Sequence, residues 1–111
     1  MLVSDAVMGT GLPPGVHVLG GREIHIGEDV ARLPDGTITG SVIALDRALC
    51  NVVEAAGIPL SEATRMASAT PARSLGLSDR GTLEVGKRAD LALLDAAYGC
   101  RGTWVAGARV F

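Results

Sequence analysis

Thr70-Pro71-Ala72-Arg73-Ser74-Leu75-Gly76-Leu77, followed by Gly81-Thr82-Leu83-Glu84-Val85-Gly86-Lys87-Arg88-Ala89-Asp90-Leu91-Ala92-Leu93-Leu94-Asp95, carries the chain from helix into strand. Thr70 offers a side-chain oxygen to a helix start, and Pro71 suits a first helical position, where no N–H is needed. Gly76 stands just past the end, where a left-handed residue closes a helix. From Gly81 the pattern turns to strands. Thr82–Val85 reads as one strand, Gly86-Lys87-Arg88 as a turn, and Ala89–Leu94 as a buried strand. Thr103–Ala106 and Arg109–Phe111 flank Gly107 as a final hairpin.

Upstream of this stretch the sequence is helical. Ala44, Leu45, Ala48, Leu49, Val52, Val53 and Ala56 recur at helical spacing, with Ser41 as an N-cap, Gly57 as a stop and Pro59 beyond it. Ser61 is placed to cap a second helix, whose first turn carries Glu62. Earlier still, Val16–Leu19 and Glu23–Ile26 alternate with the period of strands. A three-residue loop, Gly20-Gly21-Arg22, would set Val18 opposite Ile24 and His17 opposite His25. Val30–Leu33 ends at Pro34-Asp35-Gly36, a turn, and Thr37–Thr39 can pair back before Gly40. Leu2-Val3 is a short apolar strand stub that runs into Ser4-Asp5-Ala6 and a Gly/Pro-rich connector, Gly9–Gly15. Such an abrupt first strand is expected of a piece of a larger protein.

Composition excludes several functions. The 111 residues carry 10 Lys+Arg against 12 Asp+Glu, a net charge of −2, so there is no basic excess for nucleic acid. Hydrophobic residues make up 48% and charged residues 20%, which is globular and not disordered material. No apolar run approaches the ~20 residues of a membrane span, and the opening residues lack a basic signal-peptide region. Cys50 and Cys100 have neither metal-ligand spacing nor a neighbouring base, and a reduced, cytoplasmic chain is the expectation.

Met66-Ala67-Ser68-Ala69 with the Thr70–Leu77 stretch, then Gly81, Gly86–Leu91 and Asp95, resembles the tail of amidohydrolase-superfamily enzymes. The rest narrows the resemblance. Leu2-Val3-Ser4-Asp5-Ala6, Gly11-Leu12-Pro13-Pro14-Gly15, Leu33–Ser41, Leu45–Leu49 and Asn51–Glu54 are similar to the N-acetylglucosamine-6-phosphate deacetylase family. Ser4 departs from it, standing where Thr is commoner.

The resemblance implies an α/β fold: the C-terminal fragment of a metal-dependent (β/α)8 TIM-type barrel plus part of its small β-sandwich. Residues 1–80 would be the last barrel strand, a hairpin insertion and the closing helices, and residues 81–111 the sandwich strands. A complete barrel needs about 250 residues, so most of it would lie outside this chain. The implied activity is hydrolysis of the acetamide of N-acetylglucosamine 6-phosphate to acetate and glucosamine 6-phosphate. Asp5, at the C-terminal end of its strand, would be the catalytic proton carrier between water and the leaving amine. Ile38, Thr39 and Gly40 would contact substrate, Gly40 by close backbone approach and Thr39 through its hydroxyl.

The implied cofactor is a divalent metal, zinc or iron, whose Glu and His ligands are not in this chain. His17 and His25 are not at ligand positions. As a cross-strand pair they supply two ligands at most, and a solvated strand face accounts for them better. Asp90 and Asp95 read as turn or cap residues. The implied partner is a phosphorylated amino sugar, with a homodimer when full length. Two other readings compete: a dihydroorotase- or deaminase-like relative sharing the tail, and a non-catalytic α+β binding module. The Gly36–Ser41 loop and the hairpin favour the deacetylase.

Overall fold

The computed structural model describes all residues, 1–111. The chain mixes strands with helices, the α/β composition expected. It divides into two compact units, Ser4–Leu45 and Met1–Val3 with Asp46–Phe111.

The first unit is a four-stranded antiparallel meander, β1 (Gly15–Leu19), β2 (Arg22–Ile26), β3 (Val30–Arg32) and β4 (Ile38–Ser41), in the order β1-β2-β3-β4. The β1–β2 hairpin corrects the expected register. Gly20 and Gly21 both have positive φ, +58° and +78°, so the loop is a two-residue turn with Leu19 facing Arg22. Two left-handed residues match the strand twist better than a longer loop does. His17 therefore faces Ile24 and Val16 faces His25. The slip puts Ile24 and Ile26 in the core with Ala31, packed by Val7, Leu19, Leu33 and Val42. Val16 and Val18 are left 62% and 74% exposed on the other face. Gly9 lies against this core: a Cβ there would sit 2.6 Å from Ile26 Cδ1.

Two further expectations fail. Leu2-Val3 forms no strand: the Leu2 N–H donates to the Met66 carbonyl at 2.8 Å, and the one bridge nearby, parallel and isolated, joins Ala6 to Ser41. Ser41 does not cap a helix. It ends β4, and the following helix begins at Leu45.

The second unit holds α1 (Leu45–Glu54, all but its first residue), α2 (Leu60–Ala67), α3 (Ala69–Ser74) and a sheet of β5 (Leu91–Leu94), β6 (Cys100–Val105) and β7 (Ala108–Arg109). The helix stops lie where the sequence places them. Gly57 and Gly76 have φ of +66° and +69°, and the Leu77 N–H returns to the Ala72 carbonyl at 2.9 Å. The helix starts do not. Ser61 and Thr70 lie inside α2 and α3, which follow Pro59 and Ser68, and neither start has a side-chain cap. Residues 82–85 form no strand, because nothing pairs with them, and Leu83 and Val85 are fully exposed. β5 is a strand but not a buried one: it is an edge, and Leu93 is 55% exposed. The final hairpin turns at Ala106–Gly107, both left-handed.

Asp90 and Asp95 do hold turns. Asp95 accepts the Ala97 and Gly99 N–H groups, both at 2.9 Å, and the Arg101 guanidinium at 2.7 Å. Asp90 accepts the Ala106 N–H at 2.8 Å and Arg88 at 2.8 Å. The Arg101 hydrogen bond holds the Asp95 carboxyl below its ordinary pKa, and the Ala106 N–H does the same for Asp90.

A depressed folded pKa stabilises the fold above the unfolded value, and the contribution fades as pH falls through the folded one. Urea melts at about pH 5 and about pH 3 should show stability dropping, with a smaller drop in Asp95→Asn. Gly81 gives a second test. Its φ is +91°, and a Cβ would lie 2.7 Å from Ala72 Cβ and 3.2 Å from the Ser68 carbonyl. Gly81→Ala should cost roughly 2–4 kcal/mol in urea melts, and Gly86→Ala, with open space around it, only about 1.

Candidate active site

Asp5 and the end of β4, Ser41, are 36 residues apart in sequence and are neighbours in the structure, as the Ala6–Ser41 bridge records. Asp5 takes φ +52°, a left-handed conformation that Asp tolerates better than most residues. The bend is enforced by β4. Ser41 N–H donates to the Asp5 carbonyl at 2.8 Å, and Val7 N–H donates to the Ser41 carbonyl at 2.9 Å. The Ser41 hydroxyl donates to the Ser4 carbonyl. The Asp5 side chain is exposed, and no hydrogen bond or ion pair holds its carboxylate. It is not consumed as a local cap.

Gly40 is buried, with φ +144°, and the Asp5 main chain occupies the space a side chain would need. A Cβ on Gly40 would lie 2.7 Å from the Asp5 carbonyl oxygen, 2.7 Å from Val7 Cγ1 and 3.5 Å from Asp5 Oδ2. The close approach seen at Gly40 is thus to the Asp5 main chain. Ile38 is 60% exposed at the start of the strand. Thr39 is the extra residue of a β-bulge. Arg32 pairs with Ile38 and Ala31 with Gly40, so Thr39 has no partner across the ladder. Its hydroxyl donates to the Ala31 carbonyl at 3.1 Å, which leaves only acceptor capacity for a ligand.

Ser41 is the residue that sequence reasoning missed. Its candidacy as a helix cap concealed it, and the signal was its place after Ile38-Thr39-Gly40, continuing the strand alternation.

The residues of this chain do not form a metal site. No three His, Cys, Asp or Glu side chains converge. The hairpin register puts His17 and His25 on opposite faces. Each ring is also engaged locally, His17 Nε2 donating to the Pro13 carbonyl and His25 Nε2 to Glu23, both at 2.9 Å. Cys50 and Cys100 are free thiols.

Comparison with known proteins gives this geometry a context. The model of the amidohydrolase family matches residues 10–110. The chain is 37% identical over 108 residues to the N-acetylgalactosamine-6-phosphate deacetylase of Escherichia coli O157:H7, covering 96% of this chain and 29% of that protein. It is 36% identical over 111 residues to the N-acetylglucosamine-6-phosphate deacetylase of Vibrio furnissii, covering 99% of this chain and 28% of that one. The crystal structure of N-acetylglucosamine-6-phosphate deacetylase from Pasteurella multocida matches with a TM-score of 0.88 and 30% identity, over 96% of this chain and 28% of that chain. The chain thus spans less than a third of these relatives, and 65% of a shorter one from Escherichia coli K12.

Replacing Gly40 by Ala tests the contact between β4 and Asp5. The strained φ and the overlap with the Asp5 carbonyl should cost about 2–4 kcal/mol in urea unfolding. A loss below about 0.5 kcal/mol, the scale of ordinary surface substitutions, would mean that the approach is looser than described.

Proposed function

The chain belongs to the amidohydrolase family, and on that premise we propose that it is the C-terminal part of an N-acetylglucosamine-6-phosphate deacetylase. The reaction is hydrolysis of the substrate's acetamide to acetate and glucosamine 6-phosphate. Asp5 is its proton carrier: the carboxylate takes a proton from water as the water attacks the acetamide carbonyl, then gives it to the departing amine. Ile38, Thr39 and Gly40 line the substrate, Thr39 as an acceptor and the bulged backbone as the approach surface. The observation that carries this reading is a carboxylate free of local hydrogen bonds, on a residue whose main chain packs against a glycine strand end far away in sequence.

In this reading residues 1–80 end a (β/α)8 barrel and residues 81–111 belong to a small β-sandwich. The exposure of Leu83, Val85, Leu91 and Leu93 supports it, since apolar surface of this kind calls for cover. The divalent metal of the enzyme, zinc or iron, is held by residues in the part of the relatives that this chain does not span. The enzyme works in the cytoplasm as a homodimer. No helix here is long and apolar enough to cross a membrane.

One second reading has its own support. The name of the Escherichia coli O157:H7 relative specifies the galactosamine epimer, which presents the same acetamide and the same phosphate. Asp5 would serve both substrates identically, and the choice rests on contacts to the sugar ring.

In the full-length enzyme, Asp5→Asn should lower kcat by about 10²–10⁴-fold, the span of a lost general acid–base group, with metal content unchanged. Acetate release measured on both epimers would check this, and turnover close to wild type in that variant would refute the role.

A further inference from the structure

Both backbone torsions of Asp5 are under the control of one residue. The orientation of the Ser4–Asp5 peptide plane sets φ of Asp5, and that of the Asp5–Ala6 plane sets ψ. The first plane is held at the Ser4 carbonyl by the Ser41 hydroxyl. The second is held at the Asp5 carbonyl by the Ser41 N–H, at 2.8 Å. The third contact, Val7 N–H to the Ser41 carbonyl at 2.9 Å, fixes the chain beyond. A parallel bridge needs only the two main-chain bonds, which any residue at position 41 supplies. The hydroxyl is surplus to strand pairing, and it acts on the one plane that decides whether φ of Asp5 is +52° or an ordinary negative value.

We propose that the Ser41 hydroxyl is the positioning group for Asp5. It keeps Asp5 in its left-handed conformation and so aims the carboxylate that carries the proton. The hydroxyl is spent on the Ser4 carbonyl, so Ser41 acts through Asp5. Gly40 cooperates by leaving room for the Asp5 carbonyl to reach Ser41, since any Cβ at position 40 would fill that space. The role in turnover rests on the reading of Asp5 given above, whereas the control of Asp5 backbone conformation does not.

The test compares Ser41→Thr with Ser41→Val, side chains of one shape that differ by the hydroxyl. In the full-length enzyme, Ser41→Val should lower kcat per folded molecule about tenfold or more, as misplacing a reacting group does, with KM within about twofold of wild type. Ser41→Thr should recover most of the rate. Equal rates in the two variants, or a loss that thermal melting explains, would overturn the proposal. A second readout needs no activity. In the 111-residue chain, the strong intraresidue HN–Hα nuclear Overhauser effect that marks positive φ at Asp5 should persist in Ser41→Thr and weaken in Ser41→Val. Its persistence in both variants overturns the proposal even if the deacetylase reading stands. Its loss in Ser41→Val alone supports the proposal even if the wild-type enzyme deacetylates neither sugar.

Discussion

Ser41 pairing with residues 4–7 is the constraint on which the candidate site depends. Without it Asp5 is a residue in an irregular segment that could adopt any allowed conformation. With it, two peptide planes are fixed, and with them the direction in which the Asp5 side chain leaves the main chain. The rest of the first unit serves that pairing. β2, β3 and β4 form a meander whose core is Ile24, Ile26 and Ala31, and Val7 packs against the same core from the segment that carries Asp5. Burying this apolar set is what keeps β4 in place, because a single bridge is too weak to order two segments across such a separation.

The Thr39 bulge fits the same logic. An unpaired residue one step before Gly40 twists the strand and lets Gly40 meet Ala31 on one side and Asp5 on the other. The Thr39 hydroxyl, bonded to Ala31, stiffens the bulge. A regular strand would carry a side chain where the Asp5 carbonyl now sits. The strain at Asp5 and Gly40 falls at the point where a reacting group would have to be aimed, which is where proteins tend to tolerate it.

Much of the fold was legible in the sequence, and the failures have physical causes. Turns were read well because glycine's freedom at positive φ is local information: Gly57, Gly76 and Gly107 all fall where a helix or hairpin closes. Registers and starts were read poorly because they depend on distant partners. The two-residue turn at Gly20-Gly21 moved His17 to the core side, a choice fixed by Ile24 and Ile26 packing on Ala31 and not by the hairpin residues alone. Thr82–Val85 has a strand pattern but no partner, and a strand without a partner does not form. Ser41, Ser61 and Thr70 all look like caps, yet a hydroxyl serves whichever backbone group comes within reach. Of the candidate site, Asp5, Ile38, Thr39 and Gly40 were named from a family resemblance. What the sequence could not convey was that Gly40 and Asp5 touch, and that Ser41 joins them.

The central claim, that Asp5 is aimed at the reacting acetamide by the end of β4, is tested most directly by a crystal structure of the full-length enzyme with N-acetylglucosamine 6-phosphate bound. The account predicts Asp5 at positive φ, its carboxylate within about 3 Å of the acetamide nitrogen or of the water beside its carbonyl, and the Ile38–Gly40 backbone against the sugar. A substrate seated elsewhere, or an Asp5 carboxylate turned away from the acetamide, would contradict it.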